Sequence, residues 1–196
     1  MQTRVKALTM MDAIFPKVTL ARDLLLIFGF TAVTALSAQI AFYIGPVPIT
    51  GQTFAVLLAG ALLGSKRGAL SQLTYLGVGA MGAPIFAGWQ GGPAVLLGPT
   101  GGYLVGFVAA AFAVGFLAER GWDHRIWSMA MAMLIGNIVI YAFGLPWLAT
   151  WLTRFSPESS VLAVGLYPFI PGDLLKLVLA AVALPSGWAL VNRLRR

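Results

Sequence analysis

Two opposite charges, Asp173 and Lys176, lie three residues apart in a part of the chain that is otherwise uncharged. No Asp, Glu, Lys or Arg occurs in residues 159–172 or 177–192. Residues at positions i and i+3 share one face of a helix, so these two side chains can pair and face one cavity. A charge at the centre of a lipid-exposed helix costs about 2.5–3.5 kcal/mol, which makes such residues candidates for a functional site. We therefore predict a binding site for a polar ligand at this pair.

A second interpretation of the same residues is the start of a helix. Pro171 suits the first turn of a helix, where Asp173 can accept hydrogen bonds from free backbone N–H groups. Lys176 would then extend outward to lipid headgroups. The sequence leaves both interpretations open, and one residue can serve both roles.

Asn137 follows Gly136 in the middle of another apolar segment. An amide at that depth needs hydrogen-bond partners, which either a neighbouring helix or a ligand supplies. The only histidine, His124, lies in the charged segment 119–125, and the chain has no cysteine. We therefore expect neither a disulfide framework nor a metal site based on histidine or thiolate ligands.

The composition is that of an integral membrane protein. The 196 residues are 59% hydrophobic and 10% charged, with a mean hydropathy of +0.88, whereas soluble domains carry about 25% charged residues. The net charge of +7 comes from basic residues in short segments that flank apolar runs. That pattern is typical of membrane orientation and does not indicate a nucleic-acid partner. We expect one all-α membrane domain over residues 1–196.

The charged residues divide the chain into apolar runs with room for six transmembrane helices. A helical span needs about 20 residues. Residues 24–65 and 68–118 are uncharged and can hold two spans each. The predicted spans are 24–43, 50–64, 69–86, 101–118, 127–151 and 169–191.

With six crossings, all 13 Lys and Arg residues except Arg154 and Lys176 fall on one side of the membrane. The positive-inside rule then places both termini in the cytoplasm. We expect residues 1–23 to form a cytoplasmic segment with a short interfacial helix, and residues 192–196 to form a basic cytoplasmic tail.

Two connections on the opposite side, residues 45–52 and 82–103, are apolar and rich in Gly and Pro. Irregular backbone at membrane depth is tolerated where it is buried in protein or lines a cavity. These loops are therefore expected to fold over the bundle as lids, the alternative being ordinary turns with Trp89 at the membrane interface.

Nucleotide chemistry is not expected of this chain. Residues 77–82 match the pattern GxGxxG but lie outside any βαβ unit, and residues 98–102 lack the GK[ST] ending of a phosphate loop. An intramembrane enzyme that uses Asp173 and Lys176 as acid and base is an alternative. Close pairing favours the charged forms of both groups, which suits binding better than proton transfer. A structural membrane subunit without a ligand is a further alternative.

The first predicted span, 24–43, carries small residues at a spacing of four. Such residues allow helices to approach closely, either within one bundle or between subunits. The candidates for docking a partner subunit are Thr31, Thr34, Ala35, Ala38 and Ala41.

Three motifs, taken in order, carry a family resemblance. Residues 98–103 (GPTGGY), Gly136-Asn137 and residues 171–176 (PGDLLK) resemble the BioY family, the biotin-specific S components of energy-coupling factor (ECF) transporters. Residues 48–53 (PITGQT) and 84–88 (PIFAG) fit as well.

The resemblance implies a six-helix bundle of the bacterial inner membrane that binds biotin near the outer face, beneath the loops after helices 1 and 3. It also implies a transmembrane coupling subunit and two cytoplasmic ATP-binding cassette ATPases as partners. No cofactor and no enzymatic activity are expected of the chain. The family docks through AxxxA patterns in helix 1, and this chain has only a mixed Thr/Ser/Ala version.

A biotin-like ureido group offers two N–H donors and one carbonyl acceptor. Asp173 can accept from an N–H group, Lys176 can donate to the carbonyl, and the amide of Asn137 can do either. An S component for another vitamin is the alternative within the same fold. The other predicted ligand contacts are Phe86, Trp89 and Tyr103 as apolar walls, with Gln52 and Thr100 as polar groups.

Overall fold

The computed structural model describes residues 9–194, and their regular structure is helical apart from one short hairpin. The predicted cytoplasmic segment 1–23 is described only from residue 9, and the predicted tail 192–196 only as far as residue 194. The elements are α1 Met10–Ile14, α2 Leu20–Ala38, β1 Ala41–Phe42, β2 Ile49–Thr50, α3 Gln52–Leu63, α4 Ser65–Ala80, α5 Pro93–Leu97, α6 Gly101–Ala118, α7 Ile126–Phe155, α8 Val161–Gly165 and α9 Ile170–Leu194.

Each predicted span corresponds to one helix, and α6 has the predicted bounds. The prediction for the first span was wrong at both ends. Helix α2 begins at Leu20 because the Thr19 hydroxyl accepts a hydrogen bond from the Arg22 N–H at 3.2 Å and so caps the helix. It ends at Ala38 because the residues that follow form β1, which pairs antiparallel with β2.

Helix α4 also begins earlier than predicted, at Ser65. The Glu119 carboxylate, at the end of α6, accepts hydrogen bonds from the backbone N–H of Ser65 at 2.7 Å and from its hydroxyl at 2.9 Å. A carboxylate at this position satisfies a free N–H group and complements the helix dipole. One long-range contact therefore sets the start of a helix whose own first residues give no capping side chain.

Four segments of the described chain are long and apolar enough to cross a membrane, judged by length and composition. The fourth of them contains α8, a 3₁₀ turn and α9. Helices α3 and α4 are shorter, with 12 and 16 residues. The chain is thus an all-helical membrane protein. The four segments are Leu20–Ala38, Gly101–Ala118, Ile126–Phe155 and Val161–Arg193.

Helix α6 lies at the centre of the bundle and packs against α3, α4 and α7. Glycines permit this close packing. A Cβ atom added at Gly60 on α3 would lie 2.4 Å from the Ala111 carbonyl oxygen of α6. A Cβ atom at Gly144 on α7 would meet the Tyr103 ring at 2.4 Å. The GxxxG segment that starts at Gly60 therefore serves packing inside the subunit.

A charged cluster ties α1 and α2 to α4 at the end of the bundle where α4 begins. Arg67 donates to both carboxylate oxygens of Asp12 at 2.8 Å and to Asp23 at 3.1 Å, and Arg22 also donates to Asp12. The predicted interfacial helix corresponds to α1, whose Met10 is buried against the bundle. The short amphipathic segment is therefore fastened to the fold by ion pairs as well as by apolar contact.

Candidate ligand-binding cavity

A cavity with a volume of about 540 Å³ lies between the β1–β2 hairpin, the loop before α6, and helices α6, α7 and α9. This volume is in the range of pockets that hold small ligands. Both apolar loops, 45–52 and 82–103, contribute to its walls, as the sequence predicted. Its lining includes Pro46, Val47, Thr50, Gln52, Thr53, Phe86, Gln90, Thr100, Tyr103, Phe107, Asn137, Tyr141, Phe169 and Lys176.

Lys176 reaches this cavity from α9 and is held by three acceptors. Its Nζ atom donates to Thr53 Oγ1 at 2.7 Å, to the Thr50 carbonyl oxygen at 3.0 Å and to Asp173 Oδ1 at 3.4 Å. The predicted pairing with Asp173 is confirmed, and the contact joins residues one helical turn apart. The alternative in which Lys176 extends outward to lipid headgroups was wrong, because all three of its acceptors lie inside the protein.

Asp173 is only 8% exposed and lies behind the cavity wall, outside the residues that line the cavity. The hydroxyl of Tyr141 donates to its Oδ2 atom, while Lys176 donates to Oδ1. A buried carboxylate needs such donors to offset its desolvation. The Asp173 carboxylate therefore helps to fix the positions of the Tyr141 hydroxyl and the Lys176 ammonium at the cavity wall.

Asn137 lines the cavity from the middle of α7 and is 8% exposed. Within residues 9–194 its side-chain amide has no hydrogen-bond partner. Buried amides are normally hydrogen-bonded. Among the described residues no neighbouring helix supplies a partner, so the amide is left at the cavity surface.

Gln52 lines the cavity and also joins the two lid loops. Its Nε2 atom donates to the Tyr75 hydroxyl at 2.5 Å, and its Oε1 atom accepts from the Thr50 hydroxyl at 3.0 Å. The Tyr75 hydroxyl in turn donates to the Ile85 carbonyl oxygen at 3.1 Å. The amide keeps one further donor and one further acceptor position.

Aromatic side chains form much of the remaining wall. Phe86 and Tyr103 are buried at the cavity, and Thr100 lies in its lining before α6. The Tyr103 ring stacks on Phe169 with a centroid distance of 6.4 Å, and its hydroxyl donates to the Gly165 carbonyl oxygen at 2.9 Å. The cavity therefore combines fixed apolar surfaces with an ammonium, a phenol and an unpartnered amide, which suits a neutral polar group attached to an apolar body.

The sequence model of the BioY family matches residues 3–193. The chain belongs to the BioY family. A protein of Pyrococcus horikoshii named probable biotin transporter BioY is 43% identical over 162 residues, which are 83% of this chain and 93% of that protein. The biotin transporter BioY of Thermotoga maritima is 43% identical over 155 residues, 78% of this chain and 88% of the relative. The corresponding protein of Rhizobium etli is 40% identical over 171 residues, 82% and 90% of the two chains.

The fold is also that of a solved structure. The crystal structure of the S component for biotin from an ECF-type ABC transporter matches with a TM-score of 0.73 and 29% identity, over 91% of this chain and 95% of that chain. The family resemblance drawn from the GPTGGY and PGDLLK motifs is therefore confirmed.

One predicted contact of this BioY chain lies away from the cavity. Trp89 is 65% exposed and is not among the lining residues, so its assignment to the wall was wrong. Gly88 and Trp89 both have positive φ, and the Trp89 N–H donates to Gln39 Oε1 at 3.0 Å. This turn directs the indole outward, and the neighbouring Ala87 and Gln90 line the cavity in its place.

Four of the five predicted docking residues lie on α2 and the fifth, Ala41, lies in β1; three of those on α2 face inward. Thr31 donates from Oγ1 to the Ser71 carbonyl oxygen of α4 at 2.9 Å, and Thr34 is bonded to the buried amide of Gln72. Ala38 is also fully buried, whereas Ala35 and Ala41 are partly exposed. The docking assignment is therefore corrected for Thr31, Thr34 and Ala38, whose small size serves packing between α2 and α4.

Tyr141 and Thr53 are among the cavity residues that the sequence did not identify. Tyr141 looked like an ordinary aromatic of an apolar helix, and Thr53 like a first-turn residue. A usable signal existed for Tyr141, since it lies four residues after Asn137 and so shares its helix face. Residues 9–194 contain no cluster of three or more His, Cys, Asp or Glu side chains placed to hold a metal ion.

Proposed function

We propose that this chain is the biotin-binding S component of an ECF transporter and captures biotin at the outer face of a bacterial plasma membrane. The observation that carries the proposal is the contact between Asp173 and Lys176 beside a ligand-sized cavity, in a chain of the BioY family. Relatives along most of the chain are named as biotin transporters.

In this proposal the ureido group of biotin enters between these two charges as Lys176 moves away from Asp173, which lies behind the cavity wall in the absence of a ligand. The contact from Lys176 to Asp173, at 3.4 Å, is the longest of the three that the ammonium makes. A ligand carbonyl that accepts from Lys176, with an adjacent N–H group that donates to Asp173, replaces this long contact by two charge-assisted hydrogen bonds. Because the ion pair is neutral overall, a neutral ligand leaves no uncompensated buried charge.

The other predicted contacts complete the recognition of biotin. Asn137 supplies the unpartnered amide for the remaining N–H or the carbonyl of the ureido group. The sulfur ring and alkyl chain pack on Phe86 and Tyr103, with Gln52 and Thr100 as polar contacts. The ligand carboxylate points toward the outer mouth.

The transport topology has six spans and cytoplasmic termini. Supporting it, Lys66 and Arg67 in the first turn of α4, and Arg120 and Arg125 in the connection between α6 and α7, lie at the end of the bundle opposite the cavity. In this topology the short helices α3 and α4 also count as membrane spans. They can be short because the lid loops that adjoin these helices lie within the membrane, buried in protein or lining the cavity. A transmembrane coupling subunit and two ATP-binding cassette ATPases supply the energy that this chain does not generate.

Equilibrium binding of radiolabelled biotin to the purified protein in lipid nanodiscs tests the proposal. The native chain should bind the label saturably, and unlabelled biotin should displace it while riboflavin and thiamine should not. Asp173→Asn should weaken binding at least about tenfold, which corresponds to about 1.4 kcal/mol. Asp23→Asn is the matched control, since it removes a carboxylate at the other end of the bundle and should leave the affinity unchanged.

Two outcomes would contradict the proposal. A folded native chain without saturable biotin binding rules out the function. Displacement of the label by riboflavin or thiamine assigns the chain to another vitamin. Mass spectrometry of small molecules that copurify with the chain should independently identify biotin.

A further inference from the structure

We infer that Tyr141 is a positioning residue for ligand recognition, whose hydroxyl holds the Asp173 carboxylate in place while the ligand displaces Lys176 from it. This inference rests on the proposed function, since it concerns how the biotin head binds. Tyr141 lies outside the segments that resemble the family, of which Gly136-Asn137 is the nearest.

The geometry divides the Asp173 carboxylate between two donors. The Tyr141 hydroxyl bonds Oδ2, and the Lys176 ammonium lies 3.4 Å from Oδ1. Asp173 is 8% exposed, so water supplies little of its solvation. Each of the two donors therefore matters to the energy of the carboxylate.

The two donors respond differently when a ligand enters. Lys176 has shorter contacts to Thr53 Oγ1 and to the Thr50 carbonyl, so it can release Asp173 and stay anchored. Tyr141 has no other hydroxyl partner among the described residues. Once a ligand N–H group and carbonyl lie between Asp173 and Lys176, Tyr141 is the donor from the protein that remains on the carboxylate.

The Tyr141 ring itself is fixed in the cavity wall. It packs edge-on against the Tyr103 ring with a centroid distance of 6.3 Å and lines the cavity. Tyr141→Phe therefore removes the hydroxyl while the ring keeps its packing. The hydroxyl has its effect through Asp173, because an O–H···O⁻ hydrogen bond both orients the carboxylate and stabilises its charge.

A double-mutant cycle on biotin affinity tests this role. Tyr141→Phe, Asp173→Asn and the double variant are purified in nanodiscs, and binding of radiolabelled biotin is measured for each. The factor by which Tyr141→Phe lowers affinity in the native background should exceed its factor in the Asp173→Asn background by at least about fivefold. If Asp173→Asn binds too weakly to measure, Asp173→Glu takes its place in the cycle. The longer glutamate side chain keeps the charge but moves the carboxylate away from its position at the Tyr141 hydroxyl.

Tyr103→Phe is the matched control. It removes a hydroxyl from the same wall, but that hydroxyl bonds the Gly165 carbonyl oxygen and not Asp173. The factor by which Tyr103→Phe lowers biotin affinity should be the same in the native and the Asp173→Asn backgrounds. Melting temperatures within about 3 °C of the native value establish that the variants are folded.

The inference is overturned if the Tyr141→Phe factor differs by less than about fivefold between the two backgrounds, which would make the hydroxyl independent of Asp173. It is also overturned if Tyr141→Phe leaves native affinity unchanged. Both results are distinct from failure of the proposed function, in which the native chain itself does not bind biotin.

Discussion

The Nζ atom of Lys176 lies 3.0 Å from the carbonyl oxygen of Thr50, a residue 126 positions earlier in the chain. Thr50 ends the hairpin that covers the cavity, and the second contact of Lys176, to Thr53 Oγ1, lies in the first turn of α3. The charge proposed to bind the ligand therefore also fastens the lid to α9. The same ammonium group therefore lines the cavity and holds the hairpin against α9.

Lys176→Met should weaken biotin binding and loosen the lid together. Methionine has a similar length but no donor, so the Thr50 carbonyl and the Asp173 carboxylate both lose a hydrogen bond. We expect biotin affinity to fall by at least about tenfold. Hydrogen–deuterium exchange should become faster in residues 41–51, because a local contact that opposes opening has been removed.

Lys66→Met provides the control for this change, since the same substitution then falls on an exposed lysine at the opposite end of the bundle. It should alter neither affinity nor exchange. Unchanged exchange of the hairpin in Lys176→Met would show that Lys176 does not hold the lid.

Cysteine labelling should establish the orientation, because the chain contains no native cysteine. Glu158→Cys lies in the connection after α7, and Lys66→Cys lies at the start of α4. In intact cells a membrane-impermeant maleimide should label Glu158→Cys and leave Lys66→Cys unmodified. Both should react after permeabilisation, and the reverse pattern in intact cells would place the termini outside.

Gly60→Ala should destabilise the bundle, because the new Cβ atom would lie 2.4 Å from the Ala111 carbonyl oxygen and backbone has little freedom to move. Overpacking of this kind costs about 1–3 kcal/mol. Gly77→Ala is the matched control on α4, where nothing lies within 4 Å of the added Cβ atom. It should leave stability equal or raise it by about 0.5–1 kcal/mol through helix propensity. Thermal unfolding in nanodiscs measures both, and equal melting temperatures would contradict close α3–α6 packing.

Asp123 is a buried carboxylate in the turn between α6 and α7, outside the membrane spans. The Trp188 Nε1–H group donates to its Oδ2 atom, and His124 Nε2 lies 3.7 Å from Oδ1. Burial raises the pKa of this carboxyl above its ordinary value, and the Trp188 hydrogen bond and the charge of His124 lower it by less. The folded state therefore holds this proton more tightly than the unfolded state does.

The raised pKa of Asp123 determines how the stability of the fold depends on pH. The free energy of unfolding decreases as pH rises from the ordinary Asp value through the raised pKa, since the folded state loses a proton that the unfolded state has already lost. Asp123→Asn removes this penalty and keeps an acceptor for Trp188. Its melting temperature relative to the native chain should therefore be higher at about pH 7.5 than at about pH 4.

Asp123→Ala separates charge from hydrogen bonding at this position. It leaves the Trp188 N–H without an acceptor, which costs about 1–3 kcal/mol, and should lower the melting temperature at both pH values. A difference between Asp123→Asn and the native chain that is independent of pH would contradict the raised pKa.

Much of the helical framework could be read from the sequence. Long uncharged runs located the helices, and α6 has the predicted bounds because its last residue is followed at once by Glu119. The spacing of Asp173 and Lys176 predicted their contact, since helical geometry places i and i+3 together whatever the tertiary structure.

Tertiary structure alone decided which helix faces point inward. In a membrane the lipid-facing and protein-facing sides of a helix are both apolar, so periodicity does not distinguish them. For this reason the sequence predicts Thr31 and Thr34 on α2 as docking residues, although both are bonded to α4.

Contacts between distant segments were equally beyond sequence reasoning. The bond from Tyr141 to Asp173 and that from Lys176 to Thr50 join elements whose relative rotation and depth depend on packing of the whole bundle. The sequence by itself determined the class of fold, the family and the charged pair, because local spacing and hydropathy encode them. Only the folded chain decided how that pair is held, since each of its remaining partners comes from a different helix or loop.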